Sequence, residues 1–180
     1  ASRRENVPEY CAAAELDFAF VAQTVRLADF GLVAMDMDST LVAIESIDEI
    51  ADMQGVKPQV AEITASTMRG EIDFAESLTR RTALLQGLDQ DALHRVYTER
   101  LQFNPGAEKM LQRLQAAGIR TLLVSGGFTF FTDRLKERLR LDYAAANTLE
   151  IVDGKLTGKV LGEIIGAQGK ADVLRRVRDQ

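Results

Sequence analysis

The sequence has a single cysteine and a single histidine among its 180 residues. One cysteine, Cys11, excludes a disulfide bond within the chain and fits a reducing compartment, so we expect a cytoplasmic protein. With one cysteine and one histidine, the chain also cannot build a Cys/His zinc site by itself. Chemistry based on carboxylate, hydroxyl and basic side chains remains available.

Long apolar runs and a positive net charge are missing as well. No apolar run approaches the roughly 20 residues of a membrane span, and the first residues lack the apolar core of a secretory signal. The net charge of −5 argues against nucleic acid as the main partner, because binding the phosphate backbone requires a basic surface. The sequence contains no Gly-x-x-x-x-Gly-Lys-[Ser/Thr] loop, which argues against a P-loop nucleotidase. We therefore expect a small-molecule partner, with no nucleic acid and no membrane.

The hydrophobic pattern predicts a helical lead-in over residues 1–28, followed by an α/β domain. The lead-in helix is expected at 9–28, where a loose apolar stripe contains Ala12, Leu16, Phe20, Val21 and Val25. Apolar runs at 30–34 and 119–124 predict buried strands, and Asp153-Gly154 predicts a hairpin. Alternation of strands with helices implies a Rossmann-like parallel sheet covered by helices. We assign residues 29–44 and 104–180 to this core.

Residues 45–103 are expected to form a small helical cap inserted after the first strand. Four short helices are predicted, and capping patterns mark the starts of two of them. Ser46 with Glu49 forms one capping box, and Asp73 with Glu76 forms another. One of these helices has Arg81 on an otherwise apolar stripe. A guanidinium that faces a core requires an anion, unless the side chain reaches the edge of the stripe.

Asp36 and Asp38 follow the first predicted strand, and their spacing places both on the same side of an extended backbone. Two carboxylates in one spot repel each other, and a divalent cation such as Mg²⁺ relieves that repulsion. A carboxylate can also attack phosphorus and carry the phosphoryl group, while a neighbouring carboxylate passes protons. The alternative is that both aspartates only form the turn that closes the strand.

A second strand end and a late lysine could bind phosphate. Ser125 supplies a hydroxyl, Gly126 and Gly127 allow backbone N–H groups to approach closely, and a predicted helix begins just beyond them. Lys170 could add a fixed positive charge. In parallel sheets, ligands bind beyond the carboxyl ends of the strands, where Asp36, Asp38 and Ser125 are expected. Together these residues fit phosphoryl transfer.

These motifs resemble those of the haloacid dehalogenase-like hydrolases, and more specifically the phosphoserine phosphatases. The matching segments, which cover the chain from about residue 30 onward, are 36–42, 45–50, 68–74, 77–78, 125–128, Lys170 and 153–158. The resemblance implies a Mg²⁺-dependent phosphatase that hydrolyses L-phosphoserine through an aspartyl phosphate, the last step of serine biosynthesis.

The resemblance also implies a role for each site residue. Asp36 is then the nucleophile and a metal ligand, and Asp38 is the acid/base, whose backbone carbonyl also meets Mg²⁺. The phosphate is held by Ser125, Gly126 and Lys170. The substrate amino group would bind Glu45 and its carboxylate would bind Arg81, while two residues close the pocket, Met68 and Phe74.

The sequence departs from the family pattern in one respect. The family has a fourth motif, Gly-Asp-Gly-x-Asn-Asp, on a strand roughly twenty residues past the lysine, and this chain stops at Gln180. We therefore expect a truncated core whose first strand lies at an open edge. Three alternatives to an active phosphoserine phosphatase remain. They are a phosphatase for another small phosphate ester, an inactive fragment that binds ligand or forms a homo-oligomer, and a phospho-accepting signalling domain.

Overall fold

The computed structural model describes residues 6–20, 22 and 24–180, and the chain divides into two units, Ala1–Phe30 and Gly31–Gln180. In the first unit, helix α1 spans Val7–Ala13. The helix predicted over 9–28 is therefore wrong beyond Ala13. Glu15 adopts a left-handed φ of 53°, and the Leu16 amide donates to the Cys11 carbonyl, which closes the helix. Val21 of the predicted stripe lies outside the described residues.

The second unit is built on a four-stranded sheet in the order β1-β2-β3-β4. The strands are β1 (Leu32–Met35), β2 (Arg120–Phe128), β3 (Tyr143–Val152) and β4 (Lys155–Leu161). The pairs β1–β2 and β2–β3 are parallel, whereas β3 and β4 form an antiparallel hairpin. This arrangement confirms the predicted α/β class with a mostly parallel sheet.

Helices pack around this sheet and also fill the connection between β1 and β2. That connection contains α2 (Ser46–Gln54), α3 (Lys57–Met68), α4 (Phe74–Ala83) and α5 (Asp91–Arg95). The helices around the sheet are α6 (Ala107–Ala116), α7 (Thr129–Leu139) and α8 (Ala167–Arg178). One large cluster of buried side chains runs from the inserted helices to the sheet, and includes Ile50, Leu78, Leu93 and Phe128. Inserted helices and sheet therefore share a core.

The two predicted capping patterns have different outcomes. At the start of α4, Asp73 accepts a hydrogen bond of 2.8 Å from the Glu76 amide, as predicted. The capping box predicted for Ser46 and Glu49 is wrong, because α2 is preceded by Glu45 without a side-chain cap. Ser46 uses its hydroxyl for a contact in the pocket described below, and Glu49 pairs with Arg100 at 2.6 Å.

Strand β1 lies at one end of the sheet, so the strand that leads to Asp36 has a strand neighbour on one side within the described residues. An apolar groove lies beside it, lined in part by Val33, Met35, Leu41 and Met110. Nowhere in the described residues is there a helix both long and apolar enough to cross a membrane.

Candidate active site

Asp36 is the first residue after β1, and its two carboxylate oxygens have separate partners. The Met37 amide donates to Oδ1 at 2.8 Å. The Lys170 ammonium, from the first turn of α8, forms a short ion pair with Oδ2. A carboxylate held in this way keeps a fixed direction, and its lysine partner brings a positive charge to the end of β1.

Asp38 lies two residues further on, in a partly buried position. Its carboxylate accepts hydrogen bonds from the Ser46 amide at 3.0 Å and from the Ser46 hydroxyl at 3.1 Å. Burial raises the pKa of Asp38 from an ordinary value of 3.8 to about 6, with a smaller push from the Glu45 charge, while the bonds from Ser46 act in the opposite direction. A carboxyl with this pKa can both give and take a proton near neutral pH.

The end of β2 supplies a buried hydroxyl beside these carboxylates. Ser125 is only 1% exposed, and its Oγ accepts a hydrogen bond of 2.9 Å from the Gly127 amide. Its own O–H proton is left to donate to a ligand. A Cβ atom at Gly127 would lie 2.7 Å from an Asp38 carboxylate oxygen, so only glycine allows this close approach.

Two glycines form a slot for the Phe74 ring, which comes from the start of α4. A Cβ atom at Gly126 would lie 2.8 Å from the ring, and one at Gly166 would lie 3.0 Å from it. Gly126 belongs to β2 and Gly166 immediately precedes α8. The ring therefore lies against β2, which carries Ser125, and against the start of α8, which carries Lys170.

Asn147 on β3 ties these two elements together. Its amide group donates to the Gly126 carbonyl at 2.8 Å, and its carbonyl oxygen accepts from the Ile165 amide at 2.7 Å. The side chain is 2% exposed. Since buried amide groups with both ends paired hold their neighbours rigidly, Asn147 fixes the β2 end relative to α8 and Lys170.

The inserted helices bring a positive charge to the same pocket. Arg81 of α4 is partly buried, and its Nε donates a long hydrogen bond of 3.4 Å to the Ser77 carbonyl. Burial lowers the pKa of Arg81, while the negative charges of Asp48, Glu45 and Asp38 oppose that shift. Within the part of the chain that the structure describes, Arg81 forms no ion pair, which leaves its guanidinium available to an anion.

Glu45 lies just before α2 and is oriented by a serine of the first motif. The Ser39 hydroxyl donates to Glu45 Oε1 at 2.7 Å. Ser39 has a left-handed φ of 53°, which is uncommon for a residue other than glycine. This strained turn places the hydroxyl where it can hold the Glu45 carboxylate.

We expect Ser39→Ala to weaken the binding of a substrate that carries an amino group. One exposed hydrogen bond to a charged group contributes about 1 kcal/mol, so KM should rise about two- to tenfold while kcat changes little. Steady-state kinetics with an amino-bearing phosphate ester measure this change. A phosphate ester without an amino group is the control, and an equal rise in its KM would contradict the assignment.

Almost all the predicted site residues line one pocket, with a volume of about 170 Å³. The predicted residues found there are Asp36, Asp38, Glu45, Phe74, Arg81, Ser125, Gly126 and Lys170. Met68 is the exception, because it ends α3 with 84% of its surface exposed and does not line the pocket. A cavity of this size suits a small ligand, since sites for drug-sized molecules run from about 300 Å³ upward.

The residues present fit a magnesium ion that also binds substrate. Among the described residues, no group of three or more His, Cys, Asp or Glu side chains could hold a metal. Mg²⁺ needs only one or two carboxylates, since water and phosphate oxygens complete its coordination. Asp36 supplies such a carboxylate at the strand end.

Comparison with known proteins assigns the chain to a family. The family model described as haloacid dehalogenase-like hydrolase matches residues 33–180. The chain belongs to this family. Its relatives are phosphoserine phosphatases: that of Albidiferax ferrireducens is 53% identical over 143 residues, covering 79% of this chain and 60% of the relative. The chain thus spans less than two thirds of that relative's length.

Solved structures of phosphoserine phosphatases are similar to this chain in fold and sequence. The probable phosphoserine phosphatase from Vibrio cholerae has a TM-score of 0.82 and 44% identity, covering 100% of this chain and 55% of that one. A phospho-aspartyl intermediate analogue of phosphoserine phosphatase has a TM-score of 0.77 and 39% identity, covering 83% of this chain and 71% of that one. The predicted family resemblance is therefore confirmed.

Proposed function

We propose that this chain carries the active site of a Mg²⁺-dependent phosphatase that hydrolyses L-phosphoserine to L-serine and phosphate. The reaction would pass through an aspartyl phosphate and complete serine biosynthesis. The homology to phosphoserine phosphatases supports this substrate. The cytoplasmic location and the homo-oligomer stay predictions.

One observation carries the choice of substrate. The strand ends bring groups that can bind phosphate to the pocket. The inserted helices bring a carboxylate and a partly buried guanidinium that forms no ion pair among the described residues. Arg81 fits the substrate carboxylate, and Glu45 fits its ammonium group. A ligand with one phosphate, one carboxylate and one ammonium group satisfies all three, and L-phosphoserine has these groups within a molecule small enough for the cavity.

The residues divide the reaction between them. Asp36 Oδ attacks phosphorus, the bond to the serine oxygen breaks, and Asp38 gives its proton to that leaving oxygen. In the second step a water molecule gives a proton to Asp38 and attacks the phosphorus, which releases phosphate and restores the Asp36 carboxylate. Throughout, Ser125 donates a hydrogen bond to a phosphoryl oxygen and Lys170 neutralises part of the negative charge. Positioning and charge stabilisation of this kind account for most of the catalysis in phosphoryl transfer.

Magnesium would be held by the Asp36 carboxylate and the Asp38 main-chain carbonyl. It would supply charge neutralisation at the phosphate oxygens. Phe74, seated between Gly126 and Gly166, closes the pocket against water.

The substrate assignment is tested by Arg81→Ala and Glu45→Gln. Since each variant removes one charged partner of the substrate, we expect KM for L-phosphoserine to rise about 10- to 100-fold. The assay is phosphate release with and without Mg²⁺, against a panel of small phosphate esters. Arg80→Ala is the matched control, because Arg80 pairs with Glu76 on the exposed side of the same helix. Unchanged turnover of L-phosphoserine in both pocket variants would show that the substrate is a different phosphate ester.

A further inference from the structure

The β3–β4 hairpin makes backbone hydrogen bonds with the segment between α4 and α5. The Gly87 amide donates to the Leu156 carbonyl at 2.8 Å, and the Leu156 amide donates to the Leu88 carbonyl at 2.9 Å. The Gln90 amide donates to the Gly154 carbonyl, also at 2.8 Å. These three bonds join the hairpin to the chain that immediately follows α4.

Strand β4 bulges where it meets α4. The register pairs Leu149 with Val160 and Ile151 with Leu156, so Glu150 alone lies opposite three residues of β4. Gly158 is the middle one of those three and has a φ of 82°. A bulge bends its strand and changes where the local backbone points, and here the bulge lies against the helix.

Gly158 brings the two backbones together more closely than any other residue type would allow. A Cβ atom there would lie 3.2 Å from both the Cα and the carbonyl oxygen of Ala83, and 3.1 Å from the Gln86 Cβ. Two of these three neighbours are backbone atoms of the last residue of α4. They cannot rotate away, so a side chain at position 158 must displace the end of the helix.

Helix α4 carries three of the residues that line the pocket. Phe74, Leu78 and Arg81 line the pocket, and Arg81 lies two residues before Ala83. The start of α4 is held by the Phe74 ring in its two-glycine slot. The contact at Gly158 holds the other end of α4. Together the two contacts fix the position of α4, and with it that of Arg81, relative to β2 and β4.

We propose that Gly158 is a positioning residue, which aims Arg81 at the substrate carboxylate by setting the distance between β4 and the C-terminal end of α4. The part of this proposal that concerns the substrate rests on the proposed function. The part that concerns the helix does not. Gly158 does not line the pocket, and it acts through α4.

The chain offers a matched control in Gly162. Its φ of 74° is close to that of Gly158, but a Cβ atom at Gly162 would meet nothing within 4 Å. Gly158→Ala and Gly162→Ala therefore impose the same kind of backbone strain, and only the first pushes on α4. Because asparagine tolerates left-handed backbone better than alanine, Gly158→Asn and Gly162→Asn repeat the comparison if Gly158→Ala does not fold.

The first measurement compares L-phosphoserine with O-phosphoethanolamine, which lacks only the carboxylate. In Gly158→Ala we expect the ratio of kcat/KM for the two esters to fall about tenfold toward the ratio of Arg81→Ala, since misplacing a binding group by about 1 Å is costly. Gly162→Ala should keep the wild-type ratio. A wild-type ratio in Gly158→Ala would overturn the link to Arg81.

The second measurement is amide hydrogen exchange across α4, which requires no activity. We expect faster exchange in residues 78–83 of Gly158→Ala and wild-type exchange in Gly162→Ala. If wild-type protein hydrolyses neither ester, the proposed function fails while this comparison still decides the role of Gly158. Equal exchange in the two variants would overturn the proposal.

Discussion

Asp36→Asn is expected to lower metal-dependent phosphate release from L-phosphoserine by about four orders of magnitude or more, the scale of losing a catalytic nucleophile. An amide oxygen carries no charge with which to attack phosphorus. The variant should still fold, because Asn can accept the 2.8 Å hydrogen bond from the Met37 amide. Circular dichroism and phosphate release, with and without Mg²⁺, measure both properties on the same sample.

The control for this variant is Asp133→Asn, which makes the same chemical change on an exposed turn of α7. Its activity should equal that of the wild type. A mass increase of one phosphoryl group on quenched wild-type protein, absent from Asp36→Asn, would identify the covalent intermediate directly. Residual activity within tenfold of the wild type in Asp36→Asn would contradict the assignment of Asp36 as nucleophile.

The strand-end residues could be predicted from sequence because each depends on a local pattern. An apolar run followed by Asp36 and Asp38 places both at the carboxyl end of a strand, and the same reasoning applies to Ser125. Helical spacing placed Arg81 on an apolar stripe and left two alternatives, an anion partner or a side chain that reaches the edge of the stripe. The family resemblance favoured the anion. These four residues line one pocket.

The residues that support them could not be predicted, since their partners lie far away in the sequence. Asn147 bonds to a carbonyl 21 residues before it. Ser46 was assigned to a capping box because that pattern is local, but in the structure its hydroxyl pairs with Asp38. A partly buried carboxylate gains more from two donors than a helix end gains from one cap. Only the tertiary contact shows which use prevails.

The predicted N-terminal helix failed for a different reason. A loose apolar stripe over residues 9–28 matches helical spacing without showing what the stripe packs against. Helix α1 ends at Ala13, and Glu15 takes a left-handed conformation. Short isolated helices are marginal in water without tertiary contacts, so periodicity alone overestimated the length.

Asp38→Asn is expected to have two effects of opposite sign. Catalysis should fall by about 10²- to 10⁴-fold, the usual contribution of a general acid/base. At pH 7.5 and without metal, the free energy of unfolding should increase, by up to about 3 kcal/mol for a pKa near 6 against 3.8. The residue that performs proton transfer would then be one that destabilises the folded chain.

The pH dependence of that stabilisation tests its cause. The folded-state pKa of Asp38 lies above the unfolded value, so the contribution of this carboxyl is most favourable below about pH 4 and is lost as the pH rises through 6. Asn never ionises, so its gain in the free energy of unfolding should be small at pH 4 and complete above pH 7. Urea unfolding in EDTA at pH 4, 5.5 and 7.5 measures this difference in the free energy of unfolding, with Asp133→Asn as the reference. A gain that is equal at pH 4 and 7.5 would come from packing, because only a desolvated charge produces a gain that follows the titration of Asp38.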